Sequence, residues 1–233
     1  MKPRVCACVA QTSIKGVLRH IALAERLGAD LVEVRLDYMA SLDGIEGLPK
    51  ASSLPLIATN RPKDQGGKCA LHEHDRLASL LMAAKHGFDY VDVELTVKGL
   101  KGIIHELKEY GAKPIVSFHD FEGTPPKERL KEIIAQELEA GAEVCKLVTM
   151  ARDMADNLSC LSILAEEGKR MKIVCFAMGS LGFLSRALSP LFGAYFTYAS
   201  LGKGLETAPG QWSLRDLKTF YKHLGIDGEV SDP

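Results

Sequence analysis

Nowhere in this chain does an apolar run approach the roughly 20 residues that a membrane-spanning helix requires. The apolar stretch at residues 5–10 is also too short for the core of a secretory leader, and it lacks a clear cleavage pattern. A cytoplasmic protein with no membrane partner is therefore expected. Excess charge is missing too. The formal net charge is -1 over 233 residues and no basic face stands out, which gives no support for nucleic acid or an anionic membrane as a partner. The six cysteines form no Cys-x-x-Cys pair. Buried free thiols are a better expectation here than a disulfide framework. Linkers and low-complexity tracts are absent, so nothing divides the chain. A Gly-rich phosphate loop is absent as well. The first strand candidate runs into Gln11-Thr12-Ser13-Ile14-Lys15-Gly16, which is not the dinucleotide fingerprint of a doubly wound sheet.

What is present is alternation. Short segments rich in Val, Ile and Leu fall at residues 4–10, 31–37, 56–61, 90–95, 114–119, 144–150, 172–178 and 195–200. Such runs suit parallel strands covered on both faces. Between them lie segments with helical spacing. Val17, Ile21, Leu23, Ala24 and Leu27 form one apolar stripe ended by Gly28. Leu130, Ile133, Ile134, Glu137 and Leu138 form another before Gly141, and Leu161, Ile163 and Leu164 a third before Gly168. Eight strands with intervening helices predict a single-domain (β/α)₈ TIM barrel over residues 1–225, with a C-terminal tail at 226–233. An open doubly wound sheet is the alternative. In a barrel, the functional residues gather at the C-terminal ends of the strands.

Polar residues that a structural strand does not need stand at those ends. In Val144-Cys145-Lys146-Leu147-Val148 a lysine sits among apolar neighbours, on one face with Val144 and Val148. Desolvation disfavours the charged amine, and a neutral amine attacks a ketone to give an imine. A lysine that snorkels outward or pairs with a carboxylate is the competing reading. The segment ending Ser117-Phe118-His119-Asp120 offers a histidine suited to proton transfer, or one that merely hydrogen-bonds at a strand end. Asp120 falls on the opposite face, where it serves the following turn. Glu33, Arg35 and Asp37 alternate with Val32, Val34 and Leu36. On a central parallel strand these charges point into the barrel, toward a polyhydroxylated ligand. On an edge strand they would face solvent. Arg61 adds a cation at the same mouth. Arg186, on a short helix after Met178-Gly179, is either a bidentate hold for a carboxylate or a surface charge. Thr207-Ala208-Pro209-Gly210-Gln211 is a loop able to close over a polar ligand. His72-Glu73-His74-Asp75 superficially suggests metal, but it introduces a helix near Asp75 and no further ligand cluster accompanies it, so no metal is expected.

Taken in order, Glu33-Val34-Arg35, Ser117-Phe118-His119-Asp120, Lys146, Met178-Gly179 with Ser185-Arg186, and Ala208-Pro209-Gly210-Gln211 resemble the type I 3-dehydroquinate dehydratases, and the resemblance covers nearly the whole chain. It implies a (β/α)₈ lyase of the shikimate pathway, which leads to chorismate and the aromatic amino acids. The implied reaction converts 3-dehydroquinate to 3-dehydroshikimate through a lysine Schiff base, without metal or organic cofactor. By the same resemblance Lys146 forms the imine at the C3 ketone. His119 takes the C2 proton, assists loss of the C1 hydroxyl, and helps make and hydrolyse the imine. Arg186 binds the carboxylate, Glu33, Arg35 and Arg61 contact the ring hydroxyls, and Thr207 and Gln211 close the lid. A homodimer is compatible with the resemblance.

The chain departs from the family pattern at two positions. The family usually carries Glu before Gly-Gly, orienting the histidine; here Gln65 precedes Gly66-Gly67, with Asp64 beside it. Either Asp64 substitutes or the proton affinity of His119 is set otherwise. Thr207 stands where Ser is usual and keeps the hydroxyl. Two other readings are a Schiff-base aldolase or transaldolase, with Gly179, Gly182 and Gly202-Lys203-Gly204 for a phosphate, and a catalytically silent metabolite-binding barrel. The pairing of Lys146 with His119 argues against the last.

Overall fold

Eight parallel strands alternate with helices through residues 2–226, the part of the chain that the computed structural model describes. The strands are β1 (Val5–Val9), β2 (Leu31–Arg35), β3 (Leu56–Thr59), β4 (Tyr90–Glu94), β5 (Lys113–His119), β6 (Val144–Met150), β7 (Ile173–Met178) and β8 (Thr197–Ser200). The helices are α1 (Ile14–Arg26), α2 (Leu48–Ala51), α3 (Glu73–Lys85), α4 (Leu100–Glu109), α5 (Lys127–Ala140), α6 (Asp156–Glu167), α7 (Phe183–Leu188) and α8 (Leu214–His223). β1 to β7 pair in sequence order, and β8 pairs with β1. That order makes a single-domain (β/α)₈ barrel and excludes the open doubly wound sheet. At the seam between β7 and β8, the Tyr195 N–H donates to the Ile173 carbonyl at 2.8 Å.

The eight expected segments are the eight strands, most with shorter ends; β6 keeps its expected bounds and β5 begins one residue earlier, at Lys113. β2 stops at Arg35 because Leu36–Tyr38 turns into a 3₁₀ helix, and β3 stops at Thr59, so Arg61 belongs to the loop above it. Strand parity then divides the core into two shells. Outward residues such as Val32, Val34, Val91, Val93, Cys145 and Leu147 pack under the helices. Inward residues fill the barrel, and their chemistry changes along the axis. Near the N-terminal ends they are apolar: Cys6, Leu31, Ile57, Tyr90, Ile115, Val144, Val174 and Phe196. One or two inward positions further on, they include Glu33, Asp92, Ser117 and Lys146, all buried. A dry plug below and a charged layer above is the arrangement that lets one barrel be both stable and reactive.

The helices follow their sequence signals. Ser13 caps α1 through a 3.2 Å bond from the Gly16 N–H to its hydroxyl, and Ser213 caps α8 in the same way. Val17, Ile21 and Ala24 form the buried stripe of α1. In α5 the stripe is turned from the one that hydrophobicity suggests. Leu138 is 42% exposed, whereas Glu137 is fully buried beside Cys145 on the outer face of β6. Neither carboxyl oxygen of Glu137 has a hydrogen-bond partner among the described residues. All six cysteines are free and buried. Among the described residues no helix is long and apolar enough to cross a membrane. Most of the expected tail, residues 227–233, lies outside the described part, while Ile226 is half-buried against the main core cluster.

Burial raises the Glu137 pKa well above its ordinary value, so the folded chain keeps a proton there that the unfolded chain releases near pH ~4.3. The folded state therefore binds more protons above that pH, and this site costs stability as pH rises. Glu137→Gln is expected to raise the midpoint of thermal unfolding at neutral pH and to narrow the advantage near pH ~4.3. A shift of the same size at both pH values would refute the assignment.

Candidate active site

The charged layer is organised around one carboxylate. Asp92, inward on β4 and wholly buried, accepts from the Lys146 Nζ at 2.7 Å through Oδ2. Its Oδ1 accepts from an Arg61 Nη at 2.6 Å and from the Ser117 hydroxyl at 2.7 Å. Arg61 also donates to Glu94 at 2.6 Å and to Ser117 at 2.9 Å. Glu94 pairs with the buried Arg76 at 2.9 Å. Burial alone would push the Asp92 carboxyl up, but Arg61 and Lys146 outweigh it and hold the group far below the usual range. Asp92 is therefore a fixed anion.

Lys146 is 5% exposed. Its Nζ lies 3.7 Å from Glu33 and 4.5 Å from the centre of the Tyr198 ring. The apolar character of β6 thus gives an incomplete picture of the amine, because β4 and β2, which do not pair with β6, bring Asp92 and Glu33 to it through the barrel interior. Glu33 also accepts from the Thr59 hydroxyl at 2.9 Å. Arg35 points inward as expected, but its fork is closed by Asp37 through bonds of 2.9 and 2.8 Å. Arg61 lies at the mouth, and much of its donor capacity is taken by Asp92, Glu94 and Ser117.

A cavity of about 100 Å³ opens above this layer, lined by Lys146, His119, Glu33, Arg35, Arg61, Arg186, Thr207 and Tyr198, with Gln65, Phe176 and Met178 among its other walls. His119 ends β5 and stacks at 6.1 Å on Phe121. Its Nδ1 has no hydrogen-bond partner among the described residues. Asp64 is exposed and does not line the cavity, so it does not take the place of an orienting carboxylate. Burial, then the cations Arg61, Lys146 and Arg35, push the His119 pKa well below the ordinary value, with Asp92 opposing them. The imidazole is thus a neutral base facing the amine's cavity. Asp120 turns away and accepts from the backbone N–H groups of Glu122 and Gly123 at 2.8 and 3.0 Å.

Arg186 is not a surface residue. It is 2% exposed, its guanidinium lies 4.2 Å above the Phe176 ring, and Nε and one Nη have no partner among the described residues. Burial pulls its pKa down to about 10. The helix that carries it is pinned: the Ser185 hydroxyl accepts from Ala177 N at 2.9 Å, and the Arg186 carbonyl accepts from Thr197 at 2.7 Å. A buried cation with free donors is a seat for an anion.

The loop after β8 covers the cavity with Thr207 and Ala208. Gln211 does not line it. Its carbonyl accepts from Thr207 N at 2.9 Å and its amide donates to the Cys8 sulfur at 3.1 Å, so it braces the loop from behind. A Cβ on Gly210 would fall 2.3 Å from the Gly179 carbonyl, so only glycine lets this loop touch the one after β7. His74 is exposed on α3, and among the described residues no group of three His, Cys, Asp or Glu side chains is placed to hold a metal. Sequence reasoning missed Asp92, Glu94, Arg76 and Tyr198. A larger surface cavity of about 850 Å³ beside α1 and α8 shares Gln211 but lacks the lysine and the histidine.

Comparisons with known proteins converge on one family. A family model described as type I 3-dehydroquinase matches residues 5–228. A 3-dehydroquinate dehydratase of Methanothrix thermoacetophila is 38% identical over 207 residues, spanning 89% of this chain and 87% of that protein. A chloroplastic bifunctional 3-dehydroquinate dehydratase/shikimate dehydrogenase of Arabidopsis thaliana is 36% identical, and the match spans 97% of this chain but 38% of that longer protein. The crystal structure of 3-dehydroquinate dehydratase from Geobacillus kaustophilus superposes with a TM-score of 0.89 at 28% identity, covering 98% of this chain and 93% of that one.

The depressed proton affinity of His119 has a direct readout. In ¹⁵N spectra of histidine-labelled protein, the His119 ring is expected to remain neutral at pH ~6.5, where an unperturbed histidine is half protonated. A midpoint at or above that pH would contradict the electrostatic account.

Proposed function

The chain belongs to the type I 3-dehydroquinase family, and from that premise we propose that Lys146 is the residue that forms the imine with substrate and His119 the base that moves its protons. The reaction is the dehydration of 3-dehydroquinate to 3-dehydroshikimate through a lysine Schiff base, a step of the shikimate pathway. The observation that carries the residue assignment is the meeting of a buried amine, an imidazole with a free nitrogen and a buried unpaired guanidinium on one cavity.

The chemistry then follows from the charges. An amine must be unprotonated to attack the C3 ketone. Asp92 touches Lys146 but is held as a fixed anion, so it orients the amine and is a poor acceptor for its proton. The neutral imidazole of His119 is the competent acceptor. Attack by Nζ forms the C–N bond, and loss of the carbonyl oxygen as water leaves the iminium. His119 takes a C2 proton, and the C–H electron pair flows into the C=N bond as an enamine. Return of those electrons expels the C1 hydroxyl, protonated by His119, as water. Hydrolysis of the remaining imine restores the amine and releases the enone. One water is consumed and two are released, a net loss of one.

Arg186 takes the substrate carboxylate with its free donors, fixing C1 and C2 relative to the amine. Glu33, Arg35, Arg61 and Thr207 face the ring hydroxyls, and Gln211 acts through the lid. A cytoplasmic location and a homodimer complete the proposal. Six free buried thiols suit a reducing compartment. Exposed Met154, Leu158 and Leu181 offer apolar surface for a second copy, which sedimentation velocity tests by mass.

Borohydride added with 3-dehydroquinate should trap a covalent adduct on the peptide carrying Lys146, read by mass. His119→Ala should still form that adduct slowly while losing about 10²- to 10⁴-fold in kcat. An adduct on another lysine, or unchanged turnover in His119→Ala, would overturn the assignment.

A further inference from the structure

At the end of the barrel opposite the amine lies a second concavity, of about 430 Å³. It is formed by the residues before β1, the turn between α6 and β7, and the segment entering β8. Five cationic side chains line it: Lys2, Arg4, Lys169, Arg170 and Lys172; no carboxylate does among the described residues. Glu143 pairs with Lys172 at 2.5 Å, and Glu167 approaches Arg170 at 3.8 Å. Lys2, Arg4 and Lys169 have no acidic partner among the described residues. The nearby acids are already engaged: Asp30 accepts from Val5 N and Lys218, each at 2.9 Å, and Asp89 caps Leu56 N at 2.9 Å. The chain as a whole carries a net charge of -1, so this concentration of one sign is local.

The cations stand on fixed backbone. The Arg4 carbonyl accepts from Thr197 N at 3.0 Å and the Lys172 carbonyl from Cys145 N at 3.0 Å. The turn that carries Lys169 and Arg170 is seated by Gly168, whose Cβ would lie 2.4 Å from the Gly193 carbonyl, so only glycine permits the approach. Tyr195 forms the floor. Arg4 stacks on its ring at 4.4 Å, and its hydroxyl meets that of Tyr90 at 2.9 Å. Burial raises the Tyr195 phenol, but the Tyr90 hydroxyl, Arg4 and Lys172 outweigh it and hold the group below its ordinary value, as a positive field requires.

We propose that this concavity is a binding site for a small polyphosphate-bearing anion, separate from the substrate site. A cleft walled by one sign of charge concentrates counter-ions, and Arg and Lys together supply forked and point donors for phosphate oxygens. Three cations without acidic partners call for a ligand with several negative charges on a short chain. A single carboxylate would leave most of that repulsion in place.

Isothermal titration of the full chain with sodium tripolyphosphate in ~150 mM salt tests the proposal. We expect one saturable site per chain that persists in Arg186→Gln, the variant that removes the anion seat of the substrate cavity. Affinity should fall about tenfold or more in Arg4→Gln/Lys169→Gln, a change of about 1.4 kcal/mol. The exposed Lys169→Gln alone should weaken binding with no effect on the thermal midpoint. ATP in place of tripolyphosphate separates the sources: equal affinity means that the phosphate chain alone is read, and tighter binding means that a nucleoside adds to it. No saturable heat, an equal loss in the charge-matched control Lys15→Gln/Lys85→Gln, or loss of the site in Arg186→Gln would overturn it.

Discussion

The carboxylate of Asp92, shared between Lys146 and Arg61, is the interaction on which the upper half of the barrel depends. Each of the three groups is buried, and burying an isolated charge costs several kcal/mol even after relaxation. Together they are tolerated because each oxygen and most donors find a partner. Removing Asp92 would leave two cations facing one another in a dry interior. Removing Lys146 would leave an anion held by Arg61 and Ser117 through one oxygen, with the other unpartnered. The amine is therefore held by contacts that reach it across the barrel interior from Asp92 on β4 and Glu33 on β2, and those contacts restrict its direction before any ligand arrives.

The same charges set the behaviour of the groups around them. Burial, with Arg61, Lys146 and Arg35, holds the His119 imidazole well below its ordinary pKa, which favours the neutral ring with a free lone pair. The anions within the layer, Glu33, Asp92 and Glu94, are matched by Lys146, Arg61 and Arg76. Arg186 alone among the buried cations lining the cavity has no carboxylate partner among the described residues. The cavity is consequently short of one negative charge, the deficit that the proposed seating of a substrate carboxylate on Arg186 would fill. On that proposal binding and catalysis meet here, because an anion seated on Arg186 would also place the ketone within reach of the amine.

Much of this was legible in the sequence. The alternation of eight short apolar runs with helical stripes is enough for the barrel, and Lys146 betrays itself as one amine in an apolar strand. Parity puts Glu33, Arg35 and Asp37 on one face, inward if the strand is central; in the barrel Glu33 and Arg35 line the cavity, while Asp37 sits in the 3₁₀ turn beyond β2. The same reasoning applies to Asp92-Val93-Glu94 on β4, where it would have found the central carboxylate. What parity does not reveal is who pairs with whom across strands that lie 54 residues apart in the chain, as Lys146 and Asp92 do. That depends on barrel register. Gln65 and Asp64 show a different limit. Adjacent residues in one loop have opposite fates, one in the cavity wall and one in solvent, because a 3₁₀ turn at Lys63–Gln65 separates their directions. Glu137 shows a third. Its helix is placed by the volumes of Leu130, Ile133 and Ile134, and the acid follows them into the core.

The most direct test of the account is a crystal structure of the borohydride-trapped complex. The account predicts continuous density from the Lys146 Nζ to the former ketone carbon, with the ligand carboxylate on the free donors of Arg186 and His119 facing the adjacent ring carbon. Density joined to a different side chain, or a carboxylate placed away from Arg186, would contradict it.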